Sequence, residues 1–297
     1  VVHSKHKTLA ILGLLSAATT WGLIWYPYRV LEQVGISGSL SSFVTYAVAL
    51  VLGVAVFSRQ LVRLRQWGWI LLGIALAAGW TNLAYVLAVV HGEIMRVLLL
   101  FYLAPLWTIL LSRLLLGEKL DHFGYLVMFL SLGGAVIMLW RPEFGLPLPQ
   151  NTAEWMGLSA GMMFATTNVL TRRAQGFPIW LKSMVVWAGV AFLSAGPSFA
   201  QPSHLQALFS LPLGYWLLMI GIGVVLFLVT LSVQFGLTNT SANQAIVIFL
   251  FELVVAAISS YVLAREAMSL QEWIGGGMII LASLFSGKLE HHHGQDH

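Results

Sequence analysis

The chain has 297 residues, of which 59% are apolar and only 9% charged. A soluble domain carries about 25% charged residues, so no soluble fold can cover this much apolar surface and the composition points to an integral membrane protein. The net charge of +4 is small and its basic residues sit at helix ends, which argues against nucleic-acid binding; the absence of cysteine excludes disulfide and thiol chemistry.

A membrane-crossing helix needs about 20 apolar residues. Ten runs fit in chain order: 8–30, 40–58, 67–90, 94–116, 123–140, 154–171, 179–198, 213–237, 243–264 and 270–286. The first run continues past spanning length with no small-residue cleavage site, so it is expected to be a retained span and not a signal peptide. Trp67, Trp69, Trp140, Trp155, Trp180, Trp216 and Trp273 fall near span ends, as an interfacial belt does. On the side holding the N-terminus lie 11 of the Lys and Arg residues, against 4 on the other side. By the positive-inside rule both termini are expected in the cytoplasm, which an even number of spans requires. The tail 289–297 is polar and His-rich; it reads as a disordered end or a tag remnant ahead of a metal site.

The first span carries the least ordinary stretch. Trp21, Trp25 and Tyr28 are spaced i, i+4, i+7 and share one helical face. Polar-tipped aromatics inside a bilayer need a partner or a wet cavity. The face reads either as a wall of a substrate path or as core packing in a helix bundle. The third span holds Trp80, Asn82 and Tyr85, the fourth Phe101, Tyr102, Pro105 and Trp107, and the sixth Phe164, Thr167, Asn168 and Thr171. The eighth adds Thr230 and Gln234, and the ninth opens with Asn243 and Gln244. The fifth and tenth are plain aliphatic and glycine helices, which suggests a lined cavity with scaffold outside it.

The two halves echo each other. Ser16-Ala17 through Arg29 aligns with Ser159-Ala160 through Arg172 at an offset of 143, and 116–120 aligns with 264–268 at an offset of 148. Five spans per half is an odd number, so the second half would enter the membrane from the opposite side. The expected organisation is all-α, with ten transmembrane helices in two inverted five-helix repeats, 1–143 and 144–288, around a central cavity.

Ionisable groups near the interior are few. Glu252, about nine residues into the ninth span, is the deepest acid and a candidate for proton coupling or for meeting an amino group, against a structural, protonated or Arg-paired role. His91, Glu93 and Arg96 read as a wet interfacial cluster, with His91 a candidate outer gate. Glu118 reads as a solvated helix terminus in a tight turn rather than a gate. Gly157-Leu158-Ser159-Ala160-Gly161 spells a nucleophile elbow but lies within a helical run with no preceding strand, and no other catalytic motif is present, so no enzyme activity is expected.

An apolar helix, then Gly117-Glu118-Lys119-Leu120, then a span with Gly133-Gly134, echoed in the second half and opened by Trp21-Gly22, resembles the drug/metabolite transporter superfamily, in its EamA-like branch. On the aromatic-rich first, third and fourth spans it looks most like the YddG-type aromatic amino-acid exporters. Arg265 in place of the Gly before Glu, and Glu252 inside the ninth span, depart from the pattern. The resemblance implies a secondary transporter in a bacterial inner membrane, moving a small amphipathic metabolite, most simply an aromatic or large apolar amino acid, by alternating access. The expected substrate contacts are Trp21, Trp25, Trp80, Asn82, Tyr85, Tyr102, Phe164, Asn168 and Gln244. The alternatives are a multidrug or cationic-metabolite exporter using the same aromatic cage, and a non-transporting scaffold or receptor. No cofactor or metal is expected; the partners are the substrate and the lipid bilayer, and a monomer is sufficient.

Overall fold

The computed structural model describes residues 2–62, 68–92, 94–144, 148–200, 206, 208–264 and 269–286. Arg63, Arg65, Trp67, Glu93, Arg265, Glu266, Lys288 and the His-rich tail therefore lie outside the described residues.

Every long element among the described residues is a helix. The first half comprises α1 (Val2–Gln33), α2 (Gly38–Val62), α3 (Trp69–His91), α4 (Ile94–Phe101), α5 (Ala104–Leu116) and α6 (His122–Leu139). The second comprises α7 (Thr152–Arg173), α8 (Ile179–Phe199), α9 (Leu213–Asn239), α10 (Ala242–Phe249), α11 (Phe251–Ser259) and α12 (Leu270–Ser286). A π-turn over Ser260–Ala264 prolongs α11. The helix ends follow from local chemistry. Gly117 adopts φ 70° to stop α5. Asp121, Asn151 and Ser241 cap α6, α7 and α10 by accepting from Gly124 N, Glu154 N and Gln244 N.

Among the described residues, eight helical segments are long and apolar enough to cross a membrane. Of the ten runs expected from sequence, α7 and α12 fall outside that set. The 22 residues of α7 include Glu154, Asn168, Arg172 and Arg173, and α12 has only 17 residues.

Both the fourth and the ninth expected spans are broken. Pro105 has no N–H to donate, and α4 and α5 are joined through tightened turns in which Leu103 N bonds Leu100 O and Leu106 N bonds Leu103 O. In the second half the break falls at Leu250, where Leu253 N bonds Leu250 O at 3.1 Å, with no proline present. The ranges of α4 and α10, Ile94–Phe101 and Ala242–Phe249, are separated by the same 148 residues that relate the sequence echoes.

Neighbour relations recur between the halves with the roles of the two halves swapped. In the first direction α3 packs on α7 and α8, and the α4–α5 pair packs on α7. In the other, α9 packs on α1 and α2, and the α10–α11 pair packs on α1. The two pairings that map onto themselves, α2 with α8 and α6 with α12, are also present. The plain helices α6 and α12 thus lie against each other, and a Cβ on Gly134 would collide with the Gly275 carbonyl. Glycine has a second use where the first helix of each half meets the broken helix of the other. Gly161 of α7 faces the Phe101 carbonyl, and Gly22 of α1 faces the Glu252 carbonyl, with no room for a side chain at either position.

Candidate functional site

Close approach at Gly22 and Gly161 draws four helices to one point, and aromatic rings fill it. Phe164 of α7 lies with its ring centroid 6.2 Å from Trp21 of α1, 5.7 Å from Phe101 of α4 and 5.4 Å from Phe249 of α10. Trp21 and Phe249 are 5.3 Å apart. Phe101 continues the cluster to Tyr102 at 5.2 Å and to Tyr85 of α3 at 5.1 Å. These tilted and edge-on arrangements match the ring quadrupole preference. Phe101 and Phe249 are the last residues of α4 and α10, so the junction sits at both helix breaks.

One carboxyl joins the rings. The Tyr102 hydroxyl faces Glu252, with Tyr85 close by. Tyr102, Phe164, Phe249 and Glu252 surround a space of ≈ 10 Å³, about the room for a single water. Where the sequence leads one to expect a central cavity, this state therefore holds a closed aromatic junction, because side chains from both halves interlock across it.

The remaining candidates lie around that point. One turn along α1 from Trp21, Trp25 donates Nε1 to Ser259 Oγ at 2.8 Å, and Ser259 donates to Gly22 O at 3.0 Å, fastening α1 to α11. Trp80 is 40% exposed and donates to Ser159 Oγ at 3.2 Å, linking α3 to α7. Asn82 accepts from Ser194 Oγ at 3.5 Å, linking α3 to α8. The exposed His91 ring places Nδ1 2.9 Å from Leu87 O of its own helix. Asn168 and Gln244 are buried; among the described residues, Asn168 Nδ2 and both amide atoms of Gln244 lack a hydrogen-bond partner. The structure thus gathers Trp21, Tyr85, Tyr102, Phe164 and Glu252, while Trp80, Asn82 and His91 bond elsewhere.

Two ion pairs close the ends of α7, and their partners escape a reading by sequence. At its N-terminus Glu154 meets Arg96 at 2.8 Å, with side chains only 4% and 5% exposed. Arg96 also donates to Leu148 O at 2.7 Å, and Glu154 accepts from Gln150 N and Asn151 Nδ2. The expected wet cluster around Arg96 is therefore corrected to a buried pair, because the capping turn of α7 folds its carboxylate over the start of α4. Asn151-x-x-Glu154, a capping-box spacing, is the signal that marks that turn in the sequence.

At the other end of α7, Arg172 Nε lies 3.5 Å from Glu118 Oε1 and Nη1 donates to Thr238 O at 2.6 Å. Glu118 Oε2 accepts from Ala242 N at 3.1 Å, at the positive end of α10. The buried Lys182 donates to Thr238 Oγ1 at 2.5 Å, and Arg173 to Leu115 O at 2.9 Å. Glu118 is thus more than a solvated terminus: the tight turn at Gly117 aims it across the boundary between the halves. Beside it opens a cavity of ≈ 180 Å³ lined by Arg113, Glu118, Lys119, Tyr125 and Asn243, among others.

Comparison with known proteins agrees with this architecture. The profile of the EamA-like transporter family matches residues 8–140 and again 151–287, once per half. An uncharacterised transporter of Archaeoglobus fulgidus is 28% identical over 220 residues, covering 73% of this chain and 75% of that protein. A riboflavin transporter of Brucella anthropi is 26% identical over 265 residues, covering 85% and 89%. A crystal structure 20% identical in sequence superposes with a TM-score of 0.75 over 94% of this chain and 97% of its own, a likeness of fold. The chain belongs to the EamA-like transporter family, within the drug/metabolite transporter superfamily, and is a multi-pass membrane transporter.

Proposed function

We propose that this member of the EamA-like transporter family exports small amphipathic metabolites, foremost aromatic or large apolar amino acids, by alternating access. The observation that carries the reading is the aromatic junction at the two helix breaks, with the Glu252 carboxyl as its acid. Ring faces stack on an apolar or aromatic side chain and attract an ammonium group, and a site with few fixed charges suits a net-neutral zwitterion.

The architecture proposed for this work is ten spans, with α7 and α12 completing the set, as inverted repeats 1–143 and 144–288. The exchange of neighbours between halves supports it, together with the odd number of spans per half. Discontinuous helices meeting at a repeat interface are where secondary transporters place their sites. The Lys and Arg asymmetry supports cytoplasmic termini in a bacterial inner membrane. Because the junction holds only ≈ 10 Å³, a substrate enters only as the halves rock apart, first at one end and then at the other.

A second reading has its own support: the riboflavin-transporting relative points to a larger planar ring system stacked on the same cluster. Purified protein in liposomes separates the readings. Saturable uptake of labelled phenylalanine or tryptophan is expected, reduced roughly tenfold in Phe164→Ala by the lost stacking and burial. Uptake of riboflavin alone would establish the second reading; uptake of lipophilic cations alone would make the protein a multidrug exporter. No uptake of any of these by folded protein would overturn the transport of aromatic substrates. If Glu252 carries the coupling proton, Glu252→Gln should remove any response of uptake to an imposed pH difference.

A further inference from the structure

We infer that the corner joining α9 to α10, from Thr238 to Ala242, is a gate at the end of the bundle that the charge asymmetry puts in the cytoplasm, and that it stands latched in this state. Three side chains converge on it. Arg172 of α7 donates to Thr238 O at 2.6 Å, and Lys182 of α8 donates to Thr238 Oγ1 at 2.5 Å. Glu118, in the turn after α5, accepts from Ala242 N at 3.1 Å. The corner is thus tied to two helices of its own half and to the other half as well.

The repeat supplies a contrast. Arg29 of α1 is the counterpart of Arg172 at the offset of 143. It stands at the opposite end of the bundle, exposed and with no partner among the described residues. The helices themselves differ in the same sense: α7 packs on α9, whereas their counterparts α1 and α3 barely meet. One repeat plan is therefore drawn together at the cytoplasmic end and left loose at the other. Inverted repeats switch by rocking one against the other, so the two ends are expected to trade these arrangements.

The latch is built to be released. Lys182 is fully buried in the first turn of α8, where the helix dipole disfavours a cation, and it shares Thr238 with a second cation, Arg172. Among the described residues no carboxylate pairs with it. That placement offsets much of what its bond to Thr238 contributes, and water reaches the ammonium as the corner swings away. Arg172 and Glu118 keep each other when they let go of the corner, so opening leaves neither charge alone.

This gate rests on alternating access but on no particular cargo, and the test uses none. The chain has no cysteine, so pairs of nitroxide labels can be attached to introduced thiols. One pair is Leu114→Cys with Asn239→Cys, exposed on α5 and α9 at the latched end. The other is Val262→Cys with His91→Cys, exposed at the far end and related to the first pair by the offset of 148. Distances are read in nanodiscs by double electron–electron resonance. In the wild type the latched pair is expected to show chiefly its short distance. Lys182→Met keeps the side-chain length and deletes the donor. It is expected to raise the ratio of long to short distances at the latched pair roughly tenfold, the worth of one charge-assisted hydrogen bond, while the far pair shortens. Thr238→Val removes the same bond from the other side and should act alike; Thr238→Ser keeps the hydroxyl and should match the wild type. Unchanged distances in both folded loss variants would overturn the gate. So would widening at the latched pair with no shortening at the far pair, which would mean a frayed corner. The opposed movement in a protein that transports none of the tested cargoes would uphold the gate and sink only the cargo.

Discussion

The interface of α7 with α4–α5 and that of α1 with α10–α11 occupy equivalent places in the two halves, yet they are held by different chemistry. The first is pinned at both ends by charge, Arg96 to Glu154 and Glu118 to Arg172. In the second, Gln244 stands 148 residues on from Arg96, with no partner for its amide among the described residues, and Ile11 stands where the offset of 143 places Glu154. Its cross-helix polar link is neutral, from Trp25 to Ser259 and on to Gly22. One repeat plan has thus become a clamped interface on one side and a lightly tied one on the other. A buried ion pair holds tightly against loss of one partner, whereas a neutral hydrogen bond is worth about 1 kcal/mol. The α7 block is therefore expected to move as a unit, with sliding concentrated where α1 meets α10 and α11.

The contrast can be broken most severely at Glu154. Glu154→Ala leaves the Arg96 guanidinium buried without its carboxylate and is expected to cost about 3–5 kcal/mol. The double change Arg96→Met with Glu154→Leu is expected to recover most of that loss. Thermal unfolding in detergent reads both, and a single variant as stable as the wild type would remove the clamp. A smaller effect is expected at the neutral tie: Trp25→Phe deletes the Nε1 donor together with the pyrrole part of a half-buried indole, for about 1–2 kcal/mol. A loss as large as that at Glu154 would erase the distinction between the interfaces. The smallest change belongs to Gln244→Met, which replaces an unpartnered buried amide by an apolar chain of similar length. Stability is expected to stay level or rise slightly; a drop of several kcal/mol would show that the amide has a partner in the membrane-embedded protein.

The helical runs, the repeat offsets and the plain character of α6 and α12 were legible in the sequence, because apolar length and glycine placement are local properties. The family membership follows from the same features. Pro105 announced a kink in the fourth span, but Leu250 announced nothing, since its break arises from packing with no local breaker. Trp21 and Phe164, paired by the offset of 143, do meet, at 6.2 Å. Phe249 carries no signal in the sequence, because one Phe in an apolar run is ordinary until its neighbours are known. The ion pairs were hidden for another reason. Arg96, Glu118 and Glu154 all lie near helix ends, where charge is ordinary, and only the fold brings each to its partner in the other half. Trp80 and Asn82 have the composition of site residues, and their bonds to Ser159 and Ser194, which join helices, could be found only from the fold.

That the substrate path runs through the aromatic junction is open to one direct measurement, which the absence of native cysteine makes clean. A single thiol introduced by Tyr102→Cys, in protein of known orientation in vesicles, is challenged with a small membrane-impermeant thiol reagent from each side in turn. The expected result is modification from either side, slow because the junction is closed at rest, and protection by phenylalanine in both cases. Modification from neither side, or at a rate that phenylalanine leaves unchanged, would contradict a path through Tyr102, Phe164 and the two helix breaks.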